Sequence, residues 1–180
     1  MKSFESCYTS PVSFTPLRLK TCCFTGHRDI PEEYKEEVIL RANKYLFPLF
    51  DNGVRYYGVG GAEGFDTLIA KHLIHLRDKN RLPIKIISVL PYQGYMDGWS
   101  KEKQWETRET ICRSDKVVYC AKRYEDGIYE KRDRHLVDYS GYCISYCARL
   151  EGGTAYTVRY AKSQGLVVYN TADFSIESLI

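Results

Sequence analysis

Three glycine-bearing segments hold the residues best suited to chemistry: Thr25-Gly26-His27-Arg28, Gly58-Val59-Gly60-Gly61-Ala62-Glu63-Gly64-Phe65-Asp66 and Glu151-Gly152-Gly153-Thr154. Glycines between a strand and a helix let backbone N–H groups and a helix N-terminus approach an anionic ligand closely. The third segment opens its helix as Thr154-Ala155-Tyr156-Thr157, with no acid in the first turn. Its free N–H groups and the Thr154 hydroxyl suit a phosphate, with Glu151 just outside to orient a sugar or a water; the plain alternative is a tight turn. The second segment carries Glu63 and Asp66, which stabilise a helix N-terminus and compete with phosphate there. These carboxylates are expected to face hydroxyls such as those of a ribose, or to work in acid–base chemistry, unless Asp66 only caps its helix. In the first segment Gly26 permits close approach, and His27 and Arg28 add donors. Its helix opens with Glu32 and Glu33. A phosphate there would be held by the Arg28 guanidinium, which suits bidentate contact, unless Arg28 pairs with a local acid.

Spacing removes the two commonest nucleotide motifs. A dinucleotide fingerprint needs Gly-x-Gly-x-x-Gly, and Glu63 stands where the last glycine belongs. No Gly-Lys-Ser/Thr occurs, so the phosphate loop of nucleoside triphosphatases is absent. Farther along, Arg132-Asp133-Arg134-His135 lies in a helical pattern whose N-terminal end faces the same edge; Arg132 is the ligand candidate and its neighbours are expected to be mostly solvated. Tyr92, Tyr95 and Trp99 either stack on a base or pack. His72, His75 and Asp78 share a helix face that reads as solvated rather than as a metal site.

The elements that position these loops follow from periodicity and punctuation. Strands are expected over 19–24, 54–59, 84–90, 116–120, 142–146 and 166–169. Helices are expected over 31–49, 64–78 and 101–112, in a segment ending near 139, and over 154–163. Pro31 suits a first helical position and Gly165 a helix C-terminus. Strict alternation predicts one α/β, Rossmann-like, three-layer domain, with a mainly parallel sheet and helices on both faces. Residues 1–18 read as a flexible tail and 19–180 as the domain. All three glycine segments follow strands, so they fall on the carboxyl edge of the sheet, where such folds bind ligands.

Composition bounds the rest. At 180 residues the chain suits a single core. A net charge of +3, with both signs mixed along the chain, argues against nucleic acid as the partner. No apolar run reaches the roughly 20 residues of a membrane span, and with no signal-peptide core the default location is cytoplasmic. Self-association stays open. Seven cysteines have no disulfide-framework spacing and read as reduced thiols; Cys22 and Cys23 are placed on opposite faces of one strand, and Cys143 and Cys147 on one face of another. No metal site is expected.

In these segments the chain resembles the YpsA/YoqJ-type branch of the SLOG superfamily. The words that carry the likeness are Cys-Phe-Thr-Gly-His-Arg at 23–28, Gly-Gly-Ala-Glu-Gly-Phe-Asp at 60–66, Arg-Asp-Arg-His-Leu-Val-Asp at 132–138 and Gly-Gly-Thr-Ala-Tyr-Thr-Val at 152–158. The likeness spans about 20–170. Asp133 departs from it, standing where the family pattern has Asn. The resemblance implies a nucleotide-derived ligand, related to NAD or ADP-ribose, with no required cofactor. The same superfamily contains the LOG phosphoribohydrolases and the DNA-binding protein DprA. LOG proteins carry Pro-Gly-Gly-x-Gly-Thr with a following Glu; here Leu150-Glu151 precede the glycines and no such Glu follows Thr154. The expected ligand contacts are Thr25, Gly26, Arg28, Gly60, Gly61, Glu63, Gly64, Asp66, Arg132, Gly152, Gly153 and Thr154. Were the chain a nucleotide N-glycoside hydrolase, Glu63 or Glu151 would be its catalytic carboxylate. The third reading is DprA-like binding of single-stranded DNA.

Overall fold

The computed structural model describes residues 15–172. In chain order the elements are β1 (Thr21–Gly26), α1 (Glu32–Asp51), β2 (Tyr56–Val59), α2 (Phe65–Asp78), β3 (Lys85–Leu90), α3 (Lys101–Cys112), β4 (Lys116–Tyr119), α4 (Ile128–Asp138), β5 (Tyr142–Tyr146), α5 (Gly153–Ser163) and β6 (Val167–Asn170). The strands form one all-parallel sheet in the order β4-β3-β2-β1-β5-β6. This is the expected α/β, Rossmann-like architecture. From β1 the chain winds outward through β2, β3 and β4, then returns to lay β5 and β6 on the other side of β1. Right-handed crossovers put α1, α2 and α3 on one face, and the reversal puts α4 and α5 on the other.

Each face has its own core. Cys22, Phe24 and Tyr57 pack against α1 (Val38, Ala42, Leu46, Leu49) and against α2 (Phe65, Ile69, Leu73). Cys23, Val89 and Cys143 pack against Leu136 and Val137 of α4 and Ala161 of α5. Cys22 and Cys23 therefore do point to opposite faces. Cys147 differs from expectation: β5 ends at Tyr146, and Cys147 lies in the following loop, where its backbone is held on both sides by the Asn170 amide.

Small boundary shifts have local causes. A single 3-10 turn over Arg18–Lys20 precedes β1, capped by the Thr21 hydroxyl donating to the Leu17 carbonyl at 2.8 Å. Arg18 Nε donates to the Ser140 carbonyl at 3.2 Å, which ties this turn to the start of β5. Of the tail expected over 1–18, residues 1–14 lie outside the described residues. At the other end of the domain, Gly165 (φ +77°) follows α5, with the Gly165 and Leu166 amides closing the last turn on Lys162 and Ala161.

Candidate functional site

The strand order reverses at β1, between its neighbours β2 and β5, and the loops leaving β1 and β5 meet there. His27 joins them. Its N–H donates to the Tyr146 carbonyl (3.1 Å), and its carbonyl accepts from the Phe65 N–H of α2 (3.2 Å). Its Nε2 accepts from the Ala148 N–H (2.9 Å). An N–H pointing at Nε2 needs a lone pair there, so the ring is neutral with its proton on Nδ1. Burial lowers its pKa, and Arg149 adds to that against the opposing Asp29. His27, expected only as a donor, thus serves mainly to tie three loops together.

The second glycine loop is occupied by its own protein. Arg132 Nη1 donates to the Gly60 carbonyl, the Tyr95 hydroxyl to the Gly61 carbonyl at 2.7 Å, and the Thr67 hydroxyl to the Ala62 carbonyl at 2.9 Å. The Ala62 N–H donates to Asp66 Oδ2 at 3.3 Å. The glycines leave room for these partners: a side chain at Gly60 would meet the Arg132 guanidinium and, at 2.7 Å, Asp66 Oδ2, and one at Gly61 would lie 2.7 Å from the Tyr95 hydroxyl. A side chain at Gly26 would overlap the Phe65 ring, and one at Gly64 would overlap the Arg28 carbonyl. Neither Gly60 nor Gly61 lines a cavity described below.

A cavity of about 330 Å³ lies beside this loop, over the ends of β1 and β5. Thr25, Gly26 and Arg28 bound it on one side, and Glu151, Gly152, Gly153 and Thr154 on the other. The Gly153, Thr154 and Ala155 amides have no protein acceptor among the described residues, and α5 has no side-chain cap and no acid in its first turn. The Thr154 and Thr25 hydroxyls make no protein hydrogen bond there either. This end of the cavity is an uncompensated helix N-terminus, which favours an anion.

The floor has the opposite character. Asp66 and Arg132 are buried, and Asp133 is half-buried beside them. Arg132 Nη1 lies 3.9 Å from Asp66 Oδ2, and its Nε lies 2.7 Å from Asp133 Oδ1 without the alignment of a hydrogen bond. The Thr157 hydroxyl donates to Asp133 Oδ2 at 3.0 Å. Burial raises the Asp66 pKa to about 6, against the pull of Arg132 and the Ala62 N–H. Burial likewise raises Asp133, against Arg132 and Thr157. Burial works to lower Arg132, but Asp133 and then Asp66 outweigh it, so the guanidinium stays charged. The floor can therefore accept hydrogen bonds from hydroxyls and donate through the guanidinium.

Glu63 and Gly64 line a second, larger cavity of about 640 Å³. Glu63 pairs with Lys103 of α3 at 2.5 Å across it. The two cavities share His27, Arg28, Asp29 and Arg149. The carboxylates expected to act together are thus divided, Asp66 in one cavity and Glu63 in the other, while Glu151 is exposed at the rim of the first.

Asp133, Tyr129 and Arg149 are among the lining residues that the sequence did not reveal. Asp133 was expected to be solvated, yet it turns inward because α5 brings Thr157 against it. Tyr129, 36% exposed, lines the smaller cavity. Its spacing of three and four from Arg132 and Asp133 on one helix face was a usable signal. Arg149 sits in a loop with no periodic pattern to reveal it. The aromatics picked out earlier pack instead: Tyr95 is buried, edge-on to Tyr92 and to Trp99 at 5.5 Å. His72 is also not solvated, since it is half-buried and bonded to Asn43 of α1 at 2.7 Å.

A doubly wound parallel sheet with an open crevice at its reversal point defines a Rossmann-like α/β domain with a ligand edge. The chain belongs to the YspA SLOG family, whose YpsA model matches residues 31–174. That match begins after β1, so the Thr25-to-Arg28 segment lies outside it. Among solved structures, the fold is similar to DNA processing protein A (DprA) from Streptococcus pneumoniae, with a TM-score of 0.60 at 15% identity over 91% of this chain and 56% of that one. It is also similar to DprA from Helicobacter pylori, a structure concerned with that protein's single-stranded DNA binding mode; the TM-score is 0.58 at 19% identity, over 83% of this chain and 64% of that one. The chain therefore spans less than two thirds of either structure. Comparison with curated proteins gave no match. Among the described residues no helix is long and apolar enough to cross a membrane.

Proposed function

We propose that this chain binds a phosphorylated, nucleotide-derived small molecule in the cavity over β1 and β5. The observation that carries this reading is the pairing of two unlike ends within about 330 Å³. At one end are three unbonded amides of α5 with the Thr154 hydroxyl; at the other is the buried Asp66–Arg132–Asp133 group. Phosphate sits on the amides, and Arg28, which has no side-chain partner among the described residues, closes over it. Ribose hydroxyls and base edges meet the floor, and Tyr129 offers a ring face at the wall. Volumes of this order are at the small end of ligand sites, enough for about one nucleotide.

Hydrolysis of the N-glycosidic bond through Glu63 has less support, because Glu63 faces the other cavity and is held by Lys103. The likeness to a DprA with a single-stranded DNA binding mode favours a second reading. It stands against setting nucleic acid aside on net charge alone, since Arg28 and Arg149 lie together at the crevice. Isothermal titration of AMP, GMP, CMP and UMP, beside fluorescence titration of an oligothymidine at two salt concentrations, separates the readings. Small-molecule binding predicts a saturable heat with at least one mononucleotide. Oligonucleotide binding that collapses with added salt, with no mononucleotide heat, would instead support the DNA reading.

A further inference from the structure

We infer that the open side of β6 takes an extended peptide, small apolar side chains flanked by carboxylates, which adds to the sheet as a further parallel or antiparallel strand. This goes beyond the nucleotide reading and uses a different surface. β6 is an edge strand, paired among the described residues only with β5. Val167 and Thr171 donate inward, to the Gly141 carbonyl at 3.2 Å and the Ser145 carbonyl at 2.7 Å. Backbone groups alternate sides along a strand, so those of Val168 and Asn170 face outward. Proteins commonly guard such an edge with charge or proline. β4, the opposite edge, opens with the exposed Lys116, whereas Val167-Val168-Tyr169-Asn170 carries neither guard.

The surface beside that edge says what the added strand carries. On the α1 side of β6, Tyr169 is covered by the Tyr45 ring at 4.6 Å. On the other side lies a groove of about 450 Å³, lined by Val168, Asn170 and Ala172 at every second position of the chain. Val158 and Lys162 of α5 face it, with Leu150, 91% exposed, at its lip. Its floor is preformed, because the Asn170 amide holds the Cys147 backbone on both sides and accepts from the Ala172 N–H at 3.2 Å. Among the described residues no Asp or Glu lines this groove, and Arg149 and Lys162 in its wall have no acidic partner. Arg159 adds a third cation alongside, its Nη1 donating to the Leu150 carbonyl at 2.9 Å. Unopposed cations around an apolar floor favour carboxylates on a partly apolar occupant. No aromatic ring lines the groove, so base stacking has no support there. Outward backbone groups beside alternate side-chain positions are the geometry of strand addition by a peptide. Arg149 also borders both cavities at β1, which leaves Lys162 as the cation peculiar to this groove.

The test is fluorescence anisotropy on the intact chain with three labelled peptides. One is Glu-Glu-Val-Thr-Val-Glu-Glu, the second has every Glu replaced by Lys, and the third is the acidic peptide N-methylated through its Val-Thr-Val core. The acidic peptide is expected to bind saturably with Kd below about 1 mM, and each of the others at least about tenfold more weakly. Lys162 is exposed, so Lys162→Glu should keep the fold, checked by circular dichroism, and weaken the acidic peptide by about tenfold or more. Absence of saturable binding by the acidic peptide overturns the inference. Equal binding of the lysine peptide removes the role of charge, and equal binding of the N-methylated peptide removes strand addition; either result also overturns it. Undiminished binding to Lys162→Glu does the same, because the peptide would then lie elsewhere. A chain that sediments as a dimer which the acidic peptide fails to dissociate would give the edge to a second copy and likewise overturn the inference.

Discussion

Asp66 is a buried carboxyl at the start of α2, set 3.9 Å from the Arg132 guanidinium. Its position at the start of α2 was legible from the glycine loop before it; its burial against Arg132, sixty-six residues away in sequence, was not. That burial makes a pH-dependent prediction. In the unfolded chain the carboxyl titrates near 3.8, and in the fold near 6. Between those values the folded state binds more protons than the unfolded state. Stability should therefore fall as pH rises from about 4 to 6, then level off, by an amount on the order of 3 kcal/mol for this group. Asp133 shifts in the same direction, whereas His27 and His72, held below their ordinary pKa, tilt stability the opposite way near pH 6. Comparing urea denaturation of the wild type with Asp66→Asn across pH 4–7 isolates the Asp66 part. The variant should lose the downward slope, and an identical pH profile in both proteins would show that Asp66 is not buried as described.

At the scale of elements, the glycine segments look alike in sequence and differ in use. Strand–glycine–helix grammar located all three loops, and element boundaries from periodicity fall within a few residues of those observed. Which glycines serve packing and which leave a surface open depends on what lies opposite, and sequence neighbours do not carry that. Gly64 (φ +73°) lies against the Arg28 carbonyl, while Gly152 (φ +92°) has nothing within 4 Å of an added Cβ. Gly64→Ala should therefore cost both backbone strain and a steric clash, about 2–5 kcal/mol, whereas Gly152→Ala should cost strain alone, about 1–3 kcal/mol. Equilibrium denaturation of the two variants checks the order; a Gly152 variant as damaged as the Gly64 variant would mean that the α5 loop is packed rather than open. The same contrast separates the loops: before α2 the Ala62 backbone is bonded to Asp66 and Thr67 and the Phe65 amide to the His27 carbonyl, whereas none of the first three amides of α5 has an acceptor among the described residues.

At the scale of the whole molecule, strict β/α alternation was enough to expect a parallel sheet covered on both faces, but strand order was not legible. Nothing in the local pattern of 142–146 says that this strand pairs with the first rather than with the fourth. That choice brings the Arg28 loop and the Gly152-Gly153-Thr154 loop to one crevice and sets the free end of α5 above the buried acids. The central claim is that this free end holds a phosphate. Gly153 has an ordinary φ and open space around an added Cβ, so Gly153→Asp should fold normally and gain a few tenths of a kcal/mol from the helix dipole, yet set a carboxylate where the phosphate sits. Calorimetric titration of wild type and Gly153→Asp with AMP, GMP, CMP and UMP tests the claim most directly. The wild type should bind at least one of them, and the variant, equally or more stable, should bind it at least about tenfold more weakly. Equal affinity in the two proteins would contradict it.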